Sequence, residues 1–409
     1  MDYIFTPKEV RCSCTLTHSH YTRFVAAGEG LIAKINEAVA DVLKAGHIAL
    51  CYAQDDEGTA ATVTQVLEAS DYKITRLYYA EGTEPSPEAA EDIIACADSV
   101  RLIIFIGDGE FCDVAKYAAE KRGIEWMYIP TSPDISSAFC GNCIFGFGVN
   151  IEAVRCKPPI SVIIDDDIMR RSMGREQAAG YGNILGHRFK CYEYEYAVRI
   201  KGEDYCLAGV RRLGMITDKF FSLSSVDACV IARVAAKIGL NNQMYKLNRL
   251  CNSDYLAQVI AAHTDEGRAL GENMPIAVYV LTGLYRAMLS EKMSTLAVPA
   301  DKIEAINELC KLCGCDKISA INRMDIGGGR EKEWYMLSEY RREIGELLHK
   351  YTDNLSSAAR VFRRLYSDAG YWLGKYLAED KAVEIGKMVL TLQPDSKKRQ
   401  CAEFCDCLN

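Results

Sequence analysis

The chain has 409 residues, 49 % hydrophobic and 25 % charged, with 48 Lys plus Arg against 56 Asp plus Glu and a formal net charge of −8. These are globular proportions, which exclude a disordered or collagen-like chain, and the acidic balance speaks against a nucleic-acid partner. No apolar run approaches a membrane span, and Met1–Val10 holds Asp2, Lys8 and Glu9 where a secretory leader needs an apolar core, so a cytoplasmic protein with no membrane partner is expected.

In chain order, residues 47–53, 74–80, 101–106 and 126–129 read as buried strands. They alternate with helical stretches at 58–69, 87–97 and 111–121. Such alternation, with short turns, predicts βαβ units and an open, doubly wound parallel sheet whose ligand crevice lies at the strand C-termini. A loop-rich stretch runs from Pro130 to Pro159, and residues 160–164 give one more strand before Asp165-Asp166-Asp167. Beyond Ile168 no strand is expected. Residues 174–199, 226–239, 253–263, 274–291, 301–312, 334–350, 354–378 and 381–390 all carry helical periodicity. The expected fold class is thus α/β, with a Rossmann-like parallel sheet, followed by an all-α C-terminal domain. The domains are set at 1–157 and 158–409.

The strand 101–106 runs into Gly107-Asp108-Gly109 with a helix behind it. Glycines there let a ligand approach the backbone, and helix N-terminal amides attract phosphate. Thr131 and Ser132 close the next strand and offer hydroxyls to the same crevice. Each feature also reads as plain turn chemistry. The run Asp165–Asp167 reads as a helix N-terminus, with metal chelation the other reading. Cys140 and Cys143 stand in the loop, and Cys310/Cys313/Cys315 and Cys401/Cys405/Cys407 form two further clusters. In a long chain without a leader, the eighteen cysteines are expected to be free thiols in a reducing compartment.

Together these pieces resemble the dehydroquinate synthase-like superfamily, which includes glycerol-1-phosphate dehydrogenase, glycerol dehydrogenase and the iron-containing alcohol dehydrogenases. The run from Gly107 to Ala119 is similar to its GGG-S/T-x-x-D-x-A-K-x-x-A segment, and Arg122–Ser132 is similar to its RGIPFISIPTS. Ala27–Ile32, Pro159–Asp165 and Ala179–Leu185 resemble three further family segments, in order. The lean is toward the glycerol-1-phosphate dehydrogenase branch.

The resemblance implies a dehydroquinate synthase-like fold and an NAD(P)-dependent oxidoreductase acting on a polyol or polyol phosphate as its small-molecule partner. NAD or NADP would be held by Gly107, Asp108, Gly109, Asp113, Lys116, Thr131 and Ser132. It also implies a homo-oligomer. The family holds a divalent metal, Zn or Fe, with an Asp and two His. Those positions here are Asn183, Tyr255 and Leu270. An amide binds metal weakly, a phenol must first lose its proton and an alkyl group cannot bind, so no metal is expected at this degenerate site. His187, four residues after Asn183, and His263, two turns after Tyr255, are the nearby imidazoles. The family's substrate Asp in PTSASHD falls on Ser136, with Asp134 close by. Asp134, Ser136, Asn183, His187, Tyr255 and His263 are therefore the catalytic candidates. The other reading is a repurposed nucleotide-binding relative without turnover. Synthase chemistry is the least favoured, because the lysines of that branch are absent from residues 146–150 and 183–187.

Overall fold

The computed structural model describes residues 3–5, 12, 14, 16–80, 83–109, 111–145, 152–249, 251–262, 270–289, 330–355, 357–358 and 361. The chain divides into two compact units. The first draws on residues 1–146, 151–181 and 222–248, and the second on 147–150, 182–221 and 249 onward.

The first unit is built on a seven-stranded sheet. Its strands are β1 (Tyr3–Phe5), β2 (Phe24–Gly28), β3 (His47–Ala53), β4 (Lys73–Tyr79), β5 (Val100–Gly107), β6 (Glu125–Pro130) and β9 (Ser161–Asp165), in the order β1-β2-β9-β6-β5-β3-β4. Six strands run parallel, and β1 pairs antiparallel to β2 at one edge. Strands β3, β5, β6 and β9 are buried almost throughout, which accounts for their unbroken apolar runs. Strand β4 alternates in exposure and carries Lys73 and Arg76, as suits an edge. From β3 the chain steps outward to β4 and then returns to the other side of β3 as β5. The strand order therefore reverses between β3 and β5, the place where open α/β sheets bind ligands.

The helices of this unit begin with α1 (Ile35–Ala40), α2 (Glu57–Glu68), α3 (Glu91–Ile94), α4 (Cys112–Arg122) and α5 (Asp166–Met169). The expected helix at 87–97 is shorter, a 3₁₀ turn followed by α3. Helix α4 ends at Gly123, whose φ of 65° is left-handed, and the Ile124 N–H closes on the Ala119 carbonyl. Within the loop-rich stretch, a small hairpin of β7 (Asn142–Phe145) and β8 (Glu152–Arg155) corrects the expectation of irregular chain. It brings the Cys143 thiol to the Cys156 thiol across the hairpin. The three aspartates after β9 each have their own partner. Asp165 accepts from the N–H groups of Asp167 and Ile32, Asp166 pairs with Arg233 at 2.6 Å, and Asp167 pairs with Arg170 at 2.9 Å. This matches a helix start and leaves no shared cation site.

Helix α6 (Gly174–Tyr196) begins in the first unit and continues in the second, and α8 (Ala228–Tyr245) belongs to the first. The described part of the second unit holds the rest of α6 with α7 (Leu207–Phe221), α9 (Asn252–Ala262), α10 (Leu270–Met288) and α11 (Arg330–Thr352). Helix α7 escapes the sequence reading, although Val210, Leu213, Gly214, Thr217 and Phe220 are its buried face at helical spacing. Among the described residues no strand follows β9, and no helix is long and apolar enough to cross a membrane. The helices expected at 301–312 and 381–390, the one expected at 354–378 apart from residues 354, 355, 357, 358 and 361, the cysteine clusters at 310–315 and 401–407, and His263 lie outside the described residues.

Within the second unit, α6 and α10 cross with almost no space between their backbones. A Cβ added to Gly182 would stand 2.0 Å from the Gly271 carbonyl oxygen, and one on Gly186 would stand 2.5 Å from the Met274 side chain. Phe189, Tyr192 and Tyr285 extend this seam, with Tyr192 edge-on to Tyr285 at 4.9 Å. Gly182→Ala is expected to lower the melting temperature sharply, because backbone cannot yield as a side chain can; overpacking of this kind costs about 1–3 kcal/mol or more. Gly58→Ala, on an exposed turn of α2 with nothing near its added Cβ, is expected to stabilise by about 0.5–1 kcal/mol. Thermal denaturation of the two variants checks both signs.

Candidate functional site

The turn Gly107-Asp108-Gly109 leaves the C-terminal end of β5 at the point where the strand order reverses. Its carbonyls are well held: Gly107 O accepts from the Thr131 N–H at 2.9 Å and from the Tyr128 hydroxyl at 3.2 Å. Gly109 O accepts from Cys112 Sγ at 3.0 Å and from Ser137 Oγ at 3.3 Å. A Cβ on Gly109 would lie 1.8 Å from the Asp134 carbonyl oxygen, so only glycine permits this approach between the turn and the loop after β6.

Asp108 is exposed, and its carboxylate accepts from the Phe111 N–H at 2.7 Å. That amide lies at the start of α4, where a dinucleotide fold presents N–H groups to phosphate. The side chain thus sits as an internal anion at the place a pyrophosphate would use.

Asp113 and Lys116 lie behind the turn on α4. Lys116 Nζ is fully buried, 2.6 Å from Asp113 and in reach of the carbonyls of Ser137 (3.3 Å) and Asn142 (3.2 Å). Burial, the largest single influence, pulls the ammonium's pKa down, but the Asp113 carboxylate together with the nearby Cys112, Cys143 and Cys140 thiols outweighs it and the net shift is upward. The other Asp113 oxygen accepts from the Ile144 N–H at 2.7 Å. The pair ties α4 to the 137–145 segment, and Lys116 has no surface to offer a ligand.

Thr131 is half-buried and Ser132 buried. Thr131 Oγ1 donates to Asp56 Oδ2 at 3.4 Å. Asp56 ends the 3₁₀ turn after β3, beside Asp55, and sequence reasoning did not single it out. The signal was available, since acidic residues after the first strand of a dinucleotide fold can take ribose hydroxyls. The Asp56 carboxyl is pushed up to about 6, first by burial and then by Asp108, Asp55 and Glu176, against the lowering effect of the Thr131 hydrogen bond. Glu176, near the start of α6, is also raised by burial and by Asp108, while its bond from the Met173 N–H opposes this. The crevice edge is therefore acidic. Asp134 is buried and Ser136 half-buried in the loop after β6, close behind Gly109.

In the helical unit, Asn183 follows Gly182 and Leu270 precedes Gly271, so the two family ligand positions stand at one helix crossing. Tyr255 lies on α9. The donor set at these positions is an amide, an alkyl group and a phenol, which does not fit a divalent metal.

His187 lies one turn beyond Asn183 on α6. Burial, and then the nearby Lys190 charge, hold its pKa well below the usual range, so the ring is neutral near pH 7. Lys190 pairs with Asp254 at 2.6 Å. Glu193 accepts from the Asn252 N–H at 3.0 Å and the Ser253 hydroxyl at 2.7 Å, anchoring the start of α9. These three ionisable side chains were not among the sequence candidates. Lys190 and Glu193 follow His187 on α6, and Asp254 directly precedes Tyr255, in the segment that resembles the family's ligand-bearing one.

Residues 26–172 match the family model of the iron-containing alcohol dehydrogenases. The glycerol-1-phosphate dehydrogenase [NAD(P)+] of Pyrococcus horikoshii is 25 % identical over 246 residues, 59 % of this chain and 67 % of that protein. The enzyme of that name from Bacillus velezensis is 25 % identical over 40 % of this chain and 43 % of its own length. The one from Saccharolobus islandicus is 34 % identical over 25 % of this chain and 30 % of its own. The chain thus spans less than half the length of two of these relatives. Glycerol dehydrogenase from Schizosaccharomyces pombe has a similar fold, with a TM-score of 0.52 at 16 % identity over 90 % of this chain and 95 % of that one. So has an archaeal halo-thermophilic alcohol dehydrogenase from a Red Sea brine pool, with a TM-score of 0.57 at 13 % identity over 97 % of this chain and 100 % of that one.

Because the Asp56 carboxyl binds its proton more tightly in the folded chain than at the ordinary 3.8, this group adds stability as pH falls through about 6 and subtracts it above. Asp56→Asn is expected to raise the melting temperature at pH 7.5 and to flatten its rise between pH 7 and 5, measured by thermal denaturation across that range. Residues 26–172 are thus similar to the iron-containing alcohol dehydrogenases, the curated relatives are glycerol-1-phosphate dehydrogenases, and the solved structures share the fold.

Proposed function

We propose that this chain binds NAD or NADP at the reversal between β3 and β5 and acts as a dehydrogenase-like protein on a polyol or polyol phosphate. The observation that carries the reading is the Gly107–Gly109 turn, fixed at that reversal by the close approach of Gly109 to the Asp134 carbonyl, within the segment that matches the family model. Gly107 and Gly109 would let the dinucleotide phosphates approach the backbone. Thr131 and Ser132 would offer hydroxyls, and Asp55 and Asp56 would accept from ribose hydroxyls. Asp113 and Lys116 would act by fixing the turn. When bound, the nicotinamide gives or accepts the hydride. Asp134, Ser136, Asn183, His187, Tyr255 and His263 are the residues proposed for substrate and proton handling. A neutral His187 ring would serve as a hydrogen-bonding partner that orients the substrate hydroxyl. No step is assigned to a divalent metal at the position-183, 255 and 270 site.

A second reading, nucleotide binding without turnover, is favoured by two observations: the alkyl group of Leu270 at a ligand position and the carboxylate of Asp108 on the α4 amide. Titration with NADH and NADPH, followed by nicotinamide fluorescence, separates the readings when joined to turnover assays on glycerol, glycerol 1-phosphate and dihydroxyacetone phosphate. Saturable binding with turnover that added Zn²⁺ or Fe²⁺ does not change is expected. Binding without turnover on any of them supports the second reading, and no binding of either cofactor ends the first. Asp108→Gly is expected to tighten cofactor binding about tenfold, as removal of one unfavourable contact of roughly 1.4 kcal/mol would.

A further inference from the structure

A cluster of soft ligands lies well away in sequence from the turn after β5. Cys12, Cys14 and His18 stand in the segment that precedes β2, and their Sγ, Sγ and imidazole nitrogen atoms all lie within 4.8 Å of one another. Cys14 Sγ is 3.0 Å from His18 Nε2. The spacing C-x-C-x₃-H lets one short loop wrap a single point.

The histidine is already oriented for this task. His18 Nδ1 is 3.1 Å from the carbonyl oxygen of Met244 at the end of α8. A carbonyl can only accept, so Nδ1 carries the proton and Nε2 is left with its lone pair facing Cys14. Metal-bound histidines are fixed in this way by a carbonyl on the far nitrogen. Tyr245 packs against the same ring, edge-on at 4.8 Å. Two thiols and an imidazole are the donor set of zinc, which prefers tetrahedral sulfur and nitrogen ligands. From ordinary Zn–S and Zn–N lengths, a tetrahedral edge between Sγ and Nε2 is about 3.5 Å. The pair therefore needs to open by only about half an ångström to admit the ion.

We propose that Cys12, Cys14 and His18 bind one Zn²⁺ as thiolate, thiolate and neutral imidazole, with a fourth donor completing the tetrahedron. Binding releases the two thiol protons. The ion clips the segment before β2 to the end of α8 through His18 and Met244. It is a structural site, built from other residues than the ligand positions 183, 255 and 270, and it stands whether or not the chain is a dehydrogenase.

The full chain, purified under reducing conditions without chelator, should carry zinc by elemental analysis. Cys14→Ser and His18→Ala should each remove about one equivalent relative to the parent. The double variant Cys310→Ser/Cys313→Ser, in the separate cysteine cluster, should leave that equivalent in place. Cobalt exchanged into the parent should give tetrahedral visible bands and a thiolate-to-cobalt charge-transfer band, both absent from Cys14→Ser. Chelation of the parent should lower its melting temperature, and added Zn²⁺ should restore it. If the variants do not fold, the cobalt spectrum of the parent alone decides: no thiolate charge-transfer band overturns the proposal. So does a parent without metal that takes up none when zinc is added, or zinc content equal in parent, Cys14→Ser and His18→Ala; each of these leaves Cys14 and His18 as a plain thiol–imidazole hydrogen bond.

Discussion

The approach of Gly109 to the Asp134 carbonyl constrains the whole edge of the sheet where β5 and β6 end. A side chain of any size at position 109 would push apart the turn after β5 and the loop after β6. Around this contact, the bond from the Thr131 N–H to Gly107 O and the Lys116 bonds to the carbonyls of Ser137 and Asn142 make two separate connections into one piece. Lys116 shows why such an arrangement is specific. A buried ammonium is costly unless it is paired and its remaining protons are bonded, and here Asp113 and two carbonyls do both. Loops are normally the softest parts of a fold, but this one is braced from below by a salt link and from the side by backbone contact.

The helical unit solves a related problem by other means. A divalent ion bound by three helices holds them at fixed spacing, and its loss would leave buried polar ligands without a partner. Here those positions carry an amide, a phenol and an alkyl group, and the described helices are held by contacts of their own. Glycine at 182 lets α6 come against the Gly271 carbonyl of α10. Lys190 with Asp254, and Glu193 with Asn252 and Ser253, fasten α9 to α6. Arg188 reaches Asp218, Asp353 and the Lys350 carbonyl, joining α6 to α7 and to the end of α11. The charges that hold the helices together are side chains in internal balance, and the neutral His187 lies among them.

Much of the first unit is legible in the sequence because its strands are buried on both faces and so read as apolar runs. His47–Ala53 and Val100–Gly107 stand within a residue of where periodicity puts them. The hairpin at 142–155 is not legible: its strands are four residues each, and the alternation of buried Cys143 and Phe145 is too short to stand out as a pattern. Helix α7 is a different case, since its apolar spacing is present but interrupted by Arg211, Arg212 and Lys219. At the site, the glycine turn and the family's ordered segments are visible to pattern. Asp56 and Glu176 are not, because what matters about them is a charge crowded by others from distant parts of the chain. Cys12, Cys14 and His18 form a short pattern, but its meaning depends on the Met244 carbonyl more than two hundred residues away.

The carboxylate of Asp108 on the Phe111 amide also bears on how this protein could have diverged. Glycine and aspartate codons differ by a single base. A lineage can therefore fill or empty the anion position at the start of α4 in one mutational step, without moving the backbone, because the neighbouring glycines already hold the turn in shape. Under the proposed dinucleotide binding, loss and recovery of nucleotide affinity would be close neighbours in sequence space, while the core stays under unchanged selection for packing.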